Sequence, residues 1–94
     1  MDESKNSAVK IVVSGVVQGV GFRYYIARIA FEHNLKGYVK NLFNGDVEIF
    51  AEGKKEILDE LAQKARFGSS HSHVKNIQIQ WLDFHNKYNK FEVR

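Results

Sequence analysis

A glycine-rich segment that ends in an arginine is the part of this chain best suited to chemistry. It joins an apolar, β-branched stretch to a helical pattern and reads Gln18-Gly19-Val20-Gly21-Phe22-Arg23. Consecutive backbone N–H groups in such a turn can bind an anion, and the positive end of the helix dipole strengthens the binding. The Arg23 guanidinium can hold a phosphate through two parallel hydrogen bonds. Its charge in a first helical turn is unfavourable unless an anion compensates it, so the segment predicts a phosphate-binding loop.

The better-known phosphate motifs do not account for this loop. The Walker pattern ends in Gly-Lys-Ser/Thr, which the chain lacks, and the dinucleotide pattern needs a third glycine where Tyr24 stands. Val17 and Arg23 have the spacing of the Cys-x5-Arg phosphatase loop, but valine cannot be a nucleophile. A phosphate that is hydrolysed in this loop must therefore be attacked directly by water.

Direct attack by water favours an acyl phosphate as the substrate. The sequence has no recognisable set of metal ligands, and neither a histidine nor a carboxylate stands in the loop. Phosphate monoesters hydrolyse very slowly, and their alkoxide leaving group needs a proton, whereas an acyl phosphate releases a carboxylate that departs without a general acid. Positioning and charge stabilisation then suffice. Asn41 supplies a neutral amide that can accept a hydrogen bond from the water and orient it.

The elements that must position these residues follow from hydrophobic periodicity. Strands and helices are predicted, in chain order, at Val9–Val13 (strand), Phe22–His33 (helix), Gly37–Phe43 (strand), Asp46–Glu52 (strand), Lys54–Phe67 (helix), Val74–Phe84 (strand) and Lys90–Arg94 (short edge strand). Asn34 is predicted as a left-handed helix stop. Strand register favours a three-residue hairpin loop, Phe43-Asn44-Gly45, with Gly45 in the left-handed bulge position.

The order β-α-β-β-α-β predicts an α+β fold, the ferredoxin-like α/β sandwich, with an antiparallel sheet and two helices on one face. Right-handed crossovers place the first and third strands at the centre of the sheet. The first and second strands then run parallel to each other, so their carboxyl ends reach the same rim. The glycine-rich loop and Asn41 are therefore expected to lie close together.

Composition indicates one small domain. Ninety-four residues carry 14 Lys+Arg against 11 Asp+Glu, a formal net charge of +3, and no block of like charges marks a nucleic-acid-binding arm. The absence of cysteine excludes disulfides, thiolate zinc sites and iron–sulfur clusters. No apolar stretch is long enough to span a membrane and no signal peptide is evident, which favours the cytoplasm. Residues 1–7 are expected to form a flexible tail and residues 8–94 the single domain.

Two motifs of the chain resemble the signatures of the acylphosphatase family. The first is the Gln18–Arg23 segment, and the second is Gly37-Tyr38-Val39-Lys40-Asn41 followed by Asn44-Gly45-Asp46-Val47-Glu48. The resemblance extends from about Val9 to Arg94. It implies the ferredoxin-like fold and metal-independent hydrolysis of the carboxyl–phosphate bond. It also implies that Arg23 binds the phosphate, that Asn41 positions the water, and that the loop amides complete the site.

The chain departs from the family pattern at two places. Asn44 stands where the family often has Asp before the hairpin glycine, and Gly68-Ser69 stands where Gly-Pro usually follows the second helix. Neither change touches the proposed chemistry. The second change is expected to loosen the loop from Gly68 to His73, in which His71 and His73 are interpreted as solvated residues and not as metal ligands.

Most aromatic residues outside the loop are interpreted as packing residues. They are Tyr24, Tyr25, Phe31, Phe50, Phe67, Trp81 and Phe91. The sequence does not identify the acyl group of the substrate. A small site at the rim would contact mainly the phosphate, so weak discrimination among acyl groups is expected.

The leading interpretation is thus an acylphosphatase enzyme without metal or cofactor. Its expected partners are small acyl phosphates and inorganic phosphate, with no nucleic acid and no membrane, and it is expected to be a monomer. One alternative is a domain that only binds phosphate or a carbamoyl group, as in hydrogenase-maturation carbamoyltransferases. Another is an RNA-binding module of the RRM type, since Lys36-Gly37-Tyr38 begins like the RRM signature, although Val39 and Lys40 break it.

Overall fold

The order of elements agrees with the sequence-based prediction. The computed structural model describes residues 5–94 and contains β1 (Asn6–Val16), α1 (Phe22–Glu32), β2 (Lys36–Asn41), β3 (Val47–Lys54), α2 (Lys55–Phe67), β4 (His73–Leu82) and β5 (Phe91–Val93). Residues 1–4 of the predicted tail lie outside the described residues, and Asn6 and Ser7 belong to β1. β2 ends at Asn41 and not at Phe43 because the next residues form the hairpin turn.

The sheet has the strand order β4-β1-β3-β2-β5. β1 pairs antiparallel with β3 and β4, and β2 pairs antiparallel with β3. The edge strand β5 pairs parallel with β2, so the sheet is mixed and not purely antiparallel as predicted. The reason is that β4 ends away from the rim where β1 and β2 end. From the end of β4 the connection crosses to the opposite edge of the sheet. β5 then runs toward the rim where β1 and β2 end, which makes it parallel to β2.

Both helices cover the same face of the sheet, as predicted. Each helix buries one apolar stripe, and the buried helical residues are Phe22, Ile26, Ala27, Ile29, Ala30, Leu58, Leu61, Ala62 and Ala65. They pack against alternate strand residues that include Val9, Ile11, Val13, Val39, Val47, Ile49 and Ala51. This alternation is the period-two pattern of strands with one buried face. The arrangement is the ferredoxin-like α+β sandwich.

The two predicted left-handed positions are confirmed. Asn34 has a φ of 56° directly after α1, and the N–H of Leu35 donates to the carbonyl oxygen of Ala30 at 2.9 Å, which closes the helix end. In the β2–β3 hairpin the N–H of Gly45, with φ of 99°, donates to the carbonyl oxygen of Leu42 at 3.2 Å. The three-residue loop therefore has the predicted register.

The packing interpretation of the aromatic residues is only partly correct. Phe91 is buried, whereas Tyr24, Phe31 and Phe67 are 68%, 59% and 89% exposed, and Trp81 is 39% exposed. Tyr24 follows the buried Phe22 by two residues, which turns it to the opposite side of α1, and Phe67 is the last residue of α2 beyond its apolar stripe. Phe31 stands nine residues after Phe22, which also turns it away from the apolar stripe, so these three rings lie on the surface.

A buried carboxylate holds the connection between β4 and β5. Glu52 is 1% exposed on β3. Its carboxylate accepts hydrogen bonds from the backbone N–H groups of His85, at 3.1 Å, and Lys87, at 2.9 Å. Because burying a carboxylate is costly unless hydrogen bonds compensate it, Glu52 specifies the path of the connection that leads to β5.

Replacing Glu52 with alanine should lower the free energy of unfolding by about 2 kcal/mol, because two backbone donors lose their acceptor. The measurement is urea unfolding of the two purified proteins. Glu60→Ala, which removes an exposed carboxylate from α2, is the matched control and should stay within about 0.5 kcal/mol of the original chain. Equal stability of Glu52→Ala and Glu60→Ala would contradict this role.

Candidate active site

The loop between β1 and α1 is fixed at both ends by buried side chains. Val17 and Phe22 are each 1% exposed. Between them Gly19 and Gly21 have φ of 75° and 80°, a conformation that glycine adopts without strain. A Cβ atom built on either glycine would meet nothing within 4 Å. The space beside the loop is therefore open to a ligand that approaches the backbone.

The loop and the first turn of α1 carry backbone donors that have no backbone partner. Among described residues outside the regular elements, the hydrogen bonds include none donated by the N–H groups of residues 18–24. The N-cap residue Gly21 offers no side-chain cap, and the first turn contains no acidic residue. Unpaired N–H groups at a helix start concentrate partial positive charge. This segment is thus suited to an anion.

The side chain of Gln18 ties the loop to the β2–β3 hairpin. Its Nε2 donates to the carbonyl oxygen of Leu42 at 2.8 Å and to that of Asp46 at 2.7 Å. Leu42 directly follows Asn41, the exposed last residue of β2. The structure therefore brings the glycine-rich loop and the strand end with Asn41 to the same rim, as the topology predicted.

Arg23 is held from the other side of the site. Its Nη1 donates to the backbone oxygen of Arg94 at 2.6 Å, and the N–H of Arg94 donates to the carbonyl oxygen of Val39 at 2.8 Å. Val39 lies two residues before Asn41 on β2. A guanidinium has five N–H donors, so the contact with Arg94 leaves Nε and Nη2 free to bind a phosphate.

Sequence reasoning missed two of these contacts. Gln18 was expected to act through its backbone amide, and nothing in its local pattern marks the side-chain bonds to the hairpin. Every residue has a backbone oxygen, so the residue type of Arg94 could not show that this oxygen binds Arg23. Both contacts join segments distant in sequence, so only the assembled sheet reveals them.

The charges on the uncovered face of the sheet are paired. The phenol of Tyr38 donates to the Glu48 carboxylate, 2.6 Å away, and burial together with this bond raises the pKa of Tyr38. The Arg94 guanidinium lies 4.3 Å from the centre of the Tyr38 ring, and its bond to Glu92, at 3.1 Å, raises the pKa of Arg94. Tyr38 therefore stays neutral and Arg94 charged at ordinary pH.

The two histidines that follow α2 have different surroundings. His71 contacts the Ser70 hydroxyl through Nδ1 at 3.2 Å, whereas His73 begins β4 opposite Val16. Within residues 5–94 no group of three or more His, Cys, Asp and Glu side chains could hold a metal ion. None of the helices in that range is long and apolar enough to cross a membrane.

Comparison with known proteins identifies the family. The family model described as acylphosphatase matches residues 9–93. An acylphosphatase of Archaeoglobus fulgidus is 43% identical over 86 residues, which are 92% of this chain and 96% of that protein. An acylphosphatase of Chlorobaculum tepidum is 39% identical over 85 residues, 90% of this chain and 92% of that protein.

Solved structures agree with the sequence relatives. The crystal structure of acylphosphatase from Bacillus subtilis superposes with a TM-score of 0.89 at 35% identity and covers 94% of this chain and 98% of that chain. A structure of full-length HypF in a phosphate- and nucleotide-bound form has a TM-score of 0.83 at 28% identity, but only 12% of its length is matched. With the family model over nearly its whole length and relatives of its own size, this chain is an enzyme of the acylphosphatase family.

Proposed function

We propose that this chain hydrolyses the carboxyl–phosphate bond of acyl phosphates by direct attack of water on phosphorus. Asn41 orients the water, and Arg23 with the backbone N–H groups of residues 18–23 holds the phosphate. The observation that carries the proposal is the pair of hydrogen bonds from Gln18 to the carbonyl oxygens of Leu42 and Asp46. These bonds join the anion-binding loop to the strand end that bears Asn41.

The phosphate site stabilises the charge of the transition state. In phosphoryl transfer, negative charge is spread over the three equatorial oxygens of the phosphorus. The N–H groups of the loop and the free Nε and Nη2 donors of Arg23 are held in place by backbone geometry and by the Arg94 contact before any substrate binds. Such preorganised donors need no rearrangement during the reaction, which is why they lower the barrier.

The water and the leaving group need no strong base or acid. The amide oxygen of Asn41 accepts a hydrogen bond from the water and directs its lone pair toward phosphorus. The bond between phosphorus and the acyl oxygen breaks as the new P–O bond forms. The products are a carboxylate and phosphate, and the proton of the attacking water passes to solvent or to a phosphate oxygen. A carboxylate is a stable leaving group, so the histidines outside the loop have no role.

We propose the simplest setting for this reaction. Residues 6–94, with β1 starting at Asn6, act as one catalytic domain. The domain works as a monomer in the cytoplasm and acts on small acyl phosphates without metal. A binding domain for phosphate or a carbamoyl group remains the second candidate, because HypF contains a similar unit in a far longer chain. Turnover of an acyl phosphate by the isolated chain would support the hydrolase, and binding without turnover would support the binding domain.

The RNA-binding alternative receives no support from the sheet surface. Tyr38 and Phe50 stack on each other at 5.9 Å between ring centres. Tyr88, from the connection between β4 and β5, packs against both rings, at 6.0 and 5.4 Å. RRM modules need free aromatic faces on which bases stack, and here protein side chains occupy them.

Arg23→Ala should lower kcat/KM for benzoyl phosphate by about 100-fold or more, because one donor of this kind is worth roughly 3–4 kcal/mol in the transition state. Hydrolysis is followed by absorbance, with and without EDTA. Arg66→Ala, which removes an exposed positive charge from α2, should keep nearly the full rate in both conditions. A near-normal rate for Arg23→Ala would overturn the assignment of the phosphate site.

Asn41→Ala should abolish turnover and leave the affinity for inorganic phosphate within about twofold, because the amide contacts the water and not the phosphate. Calorimetric titration with inorganic phosphate measures binding without turnover. Asn76→Ala, at an exposed position of β4, is the control and should change neither property. Loss of phosphate binding together with turnover in Asn41→Ala would contradict the water-positioning role.

Gln18→Glu should reduce kcat/KM about tenfold at neutral pH, because an ionised carboxylate has no donor for the two carbonyl oxygens that face it. The loss should shrink as the pH falls below about 5, since a protonated glutamate regains one donor. The pH profile is compared with that of Gln80→Glu, an exposed control on β4. Identical profiles for the two variants would show that the Gln18 side chain does not position the loop.

A further inference from the structure

The chain has a single Asn-Gly pair, Asn44 and Gly45, at the tip of the β2–β3 hairpin. An asparagine can lose its side-chain amide when the next backbone nitrogen attacks the side-chain carbonyl carbon, and a following glycine has no side chain to obstruct the approach. Asn44 is exposed, and a Cβ atom built on Gly45 would meet nothing within 4 Å, so the attack has open space. The residues that follow the other asparagines all carry side chains, namely Ser7, Leu35, Leu42, Ile77, Lys87 and Lys90.

Two hydrogen bonds to Asp46 orient the Asn44 side chain. Its Oδ1 accepts from the backbone N–H of Asp46 at 3.0 Å, and its Nδ2 donates to the Asp46 carboxylate at 3.1 Å. The first bond closes a ring that contains both the side-chain carbonyl carbon of Asn44 and the nitrogen of Gly45, which restricts the distance between them. The same N–H stabilises the negative charge that Oδ1 gains when its carbon is attacked.

The nitrogen of Gly45 is weakly held by its own backbone bond. Its N–H donates to the carbonyl oxygen of Leu42 at 3.2 Å, the long end of the usual range for such bonds. By contrast, the N–H of Lys87, which follows Asn86, donates to the buried carboxylate of Glu52 at 2.9 Å. A backbone nitrogen must leave its acceptor and lose its proton before it attacks, so Gly45 is the better nucleophile.

We propose that Asn44 is a site of spontaneous deamidation and that one of the two products inactivates the enzyme. The nitrogen of Gly45 bonds to the side-chain carbonyl carbon of Asn44, and the side-chain nitrogen leaves as ammonia, which balances the hydrogen lost from Gly45. Water then opens the cyclic imide. Opening at the side-chain carbonyl gives aspartate. Opening at the main-chain carbonyl gives isoaspartate, whose backbone is one carbon longer because it passes through the side chain.

The longer backbone of isoaspartate falls between the two acceptors of Gln18. The carbonyl oxygens of Leu42 and Asp46 flank position 44, and the Gln18 side chain donates to both. Lengthening the chain between them displaces one acceptor from the other, and misplaced groups in an active site are costly to the rate. Aspartate keeps the backbone length and an oxygen acceptor for the N–H of Asp46. The loss of activity rests on the proposed function, whereas the deamidation itself does not.

The test is to age the folded chain at mildly alkaline pH, which favours loss of the Gly45 proton, and to map every asparagine by peptide mass spectrometry. Asn44 should convert at least about tenfold faster than any other asparagine, because it alone combines a following glycine with a donor to its carbonyl oxygen. An isoaspartyl methyltransferase with a labelled methyl donor measures the isoaspartate. The loss of kcat/KM for benzoyl phosphate should follow the isoaspartate fraction.

Two variants at the same position are the controls. Asn44→Gln keeps the amide but is one carbon too long for the five-membered imide, so this chain should keep its activity through the same ageing. Asn44→Asp reproduces the other product and should keep kcat/KM within about twofold, because it changes only an exposed charge.

The outcomes separate this inference from the proposed function. Conversion of Asn44 no faster than that of the other asparagines would refute the deamidation site. If isoaspartate forms while activity persists, or if Asn44→Gln loses activity as fast as the original chain, the inactivation is refuted. If the fresh, folded chain hydrolyses no acyl phosphate, the proposed function fails and the inactivation fails with it, while the mass map still decides the deamidation.

Discussion

The two hydrogen bonds of the Gln18 side chain join the glycine-rich loop to the end of the β2–β3 hairpin, the two parts of the proposed active site. A primary amide has two N–H donors on one nitrogen, and here both are used, one for Leu42 and one for Asp46. The two carbonyl oxygens belong to facing residues at the end of the hairpin, where Leu42 also donates to Asp46. The loop is therefore aligned with a specific register of β2 and β3, and a shift of one residue would move Asn41 to the other face.

The edge strand of the sheet fixes the position of the Arg23 side chain. β5 is only three residues long, yet its parallel pairing with β2 carries Arg94 to the rim, where its backbone oxygen accepts from Arg23. The connection that leads to β5 donates hydrogen bonds to the buried carboxylate of Glu52. Arg23 is thus oriented by residues far from it in sequence, and its Nε and Nη2 donors take no part in that contact.

The loop between β1 and α1 has backbone N–H groups without a backbone partner, which is the property that the proposed phosphate site uses. Backbone donors are normally paired, but those of residues 18–24 have no backbone acceptor within the described part of the chain. The glycines keep the space beside them open, and the buried Val17 and Phe22 prevent the loop from collapsing onto the core. In the proposed mechanism a bound phosphate accepts hydrogen bonds from these donors.

Residue patterns in the sequence were sufficient to predict the elements, their order and the hairpin register. Glycine positions, apolar periodicity and the Asn34 and Gly45 stops act over a few residues, and the predictions from them agree with the structure. The folded chain was needed to establish the parallel edge strand, the Gln18 and Arg94 contacts and the exposure of Tyr24 and Phe67. The Gln18 and Arg94 contacts span 24 to 71 residues of sequence, and no local pattern specifies which distant carbonyl a side chain will reach or which ring a neighbouring helix leaves uncovered.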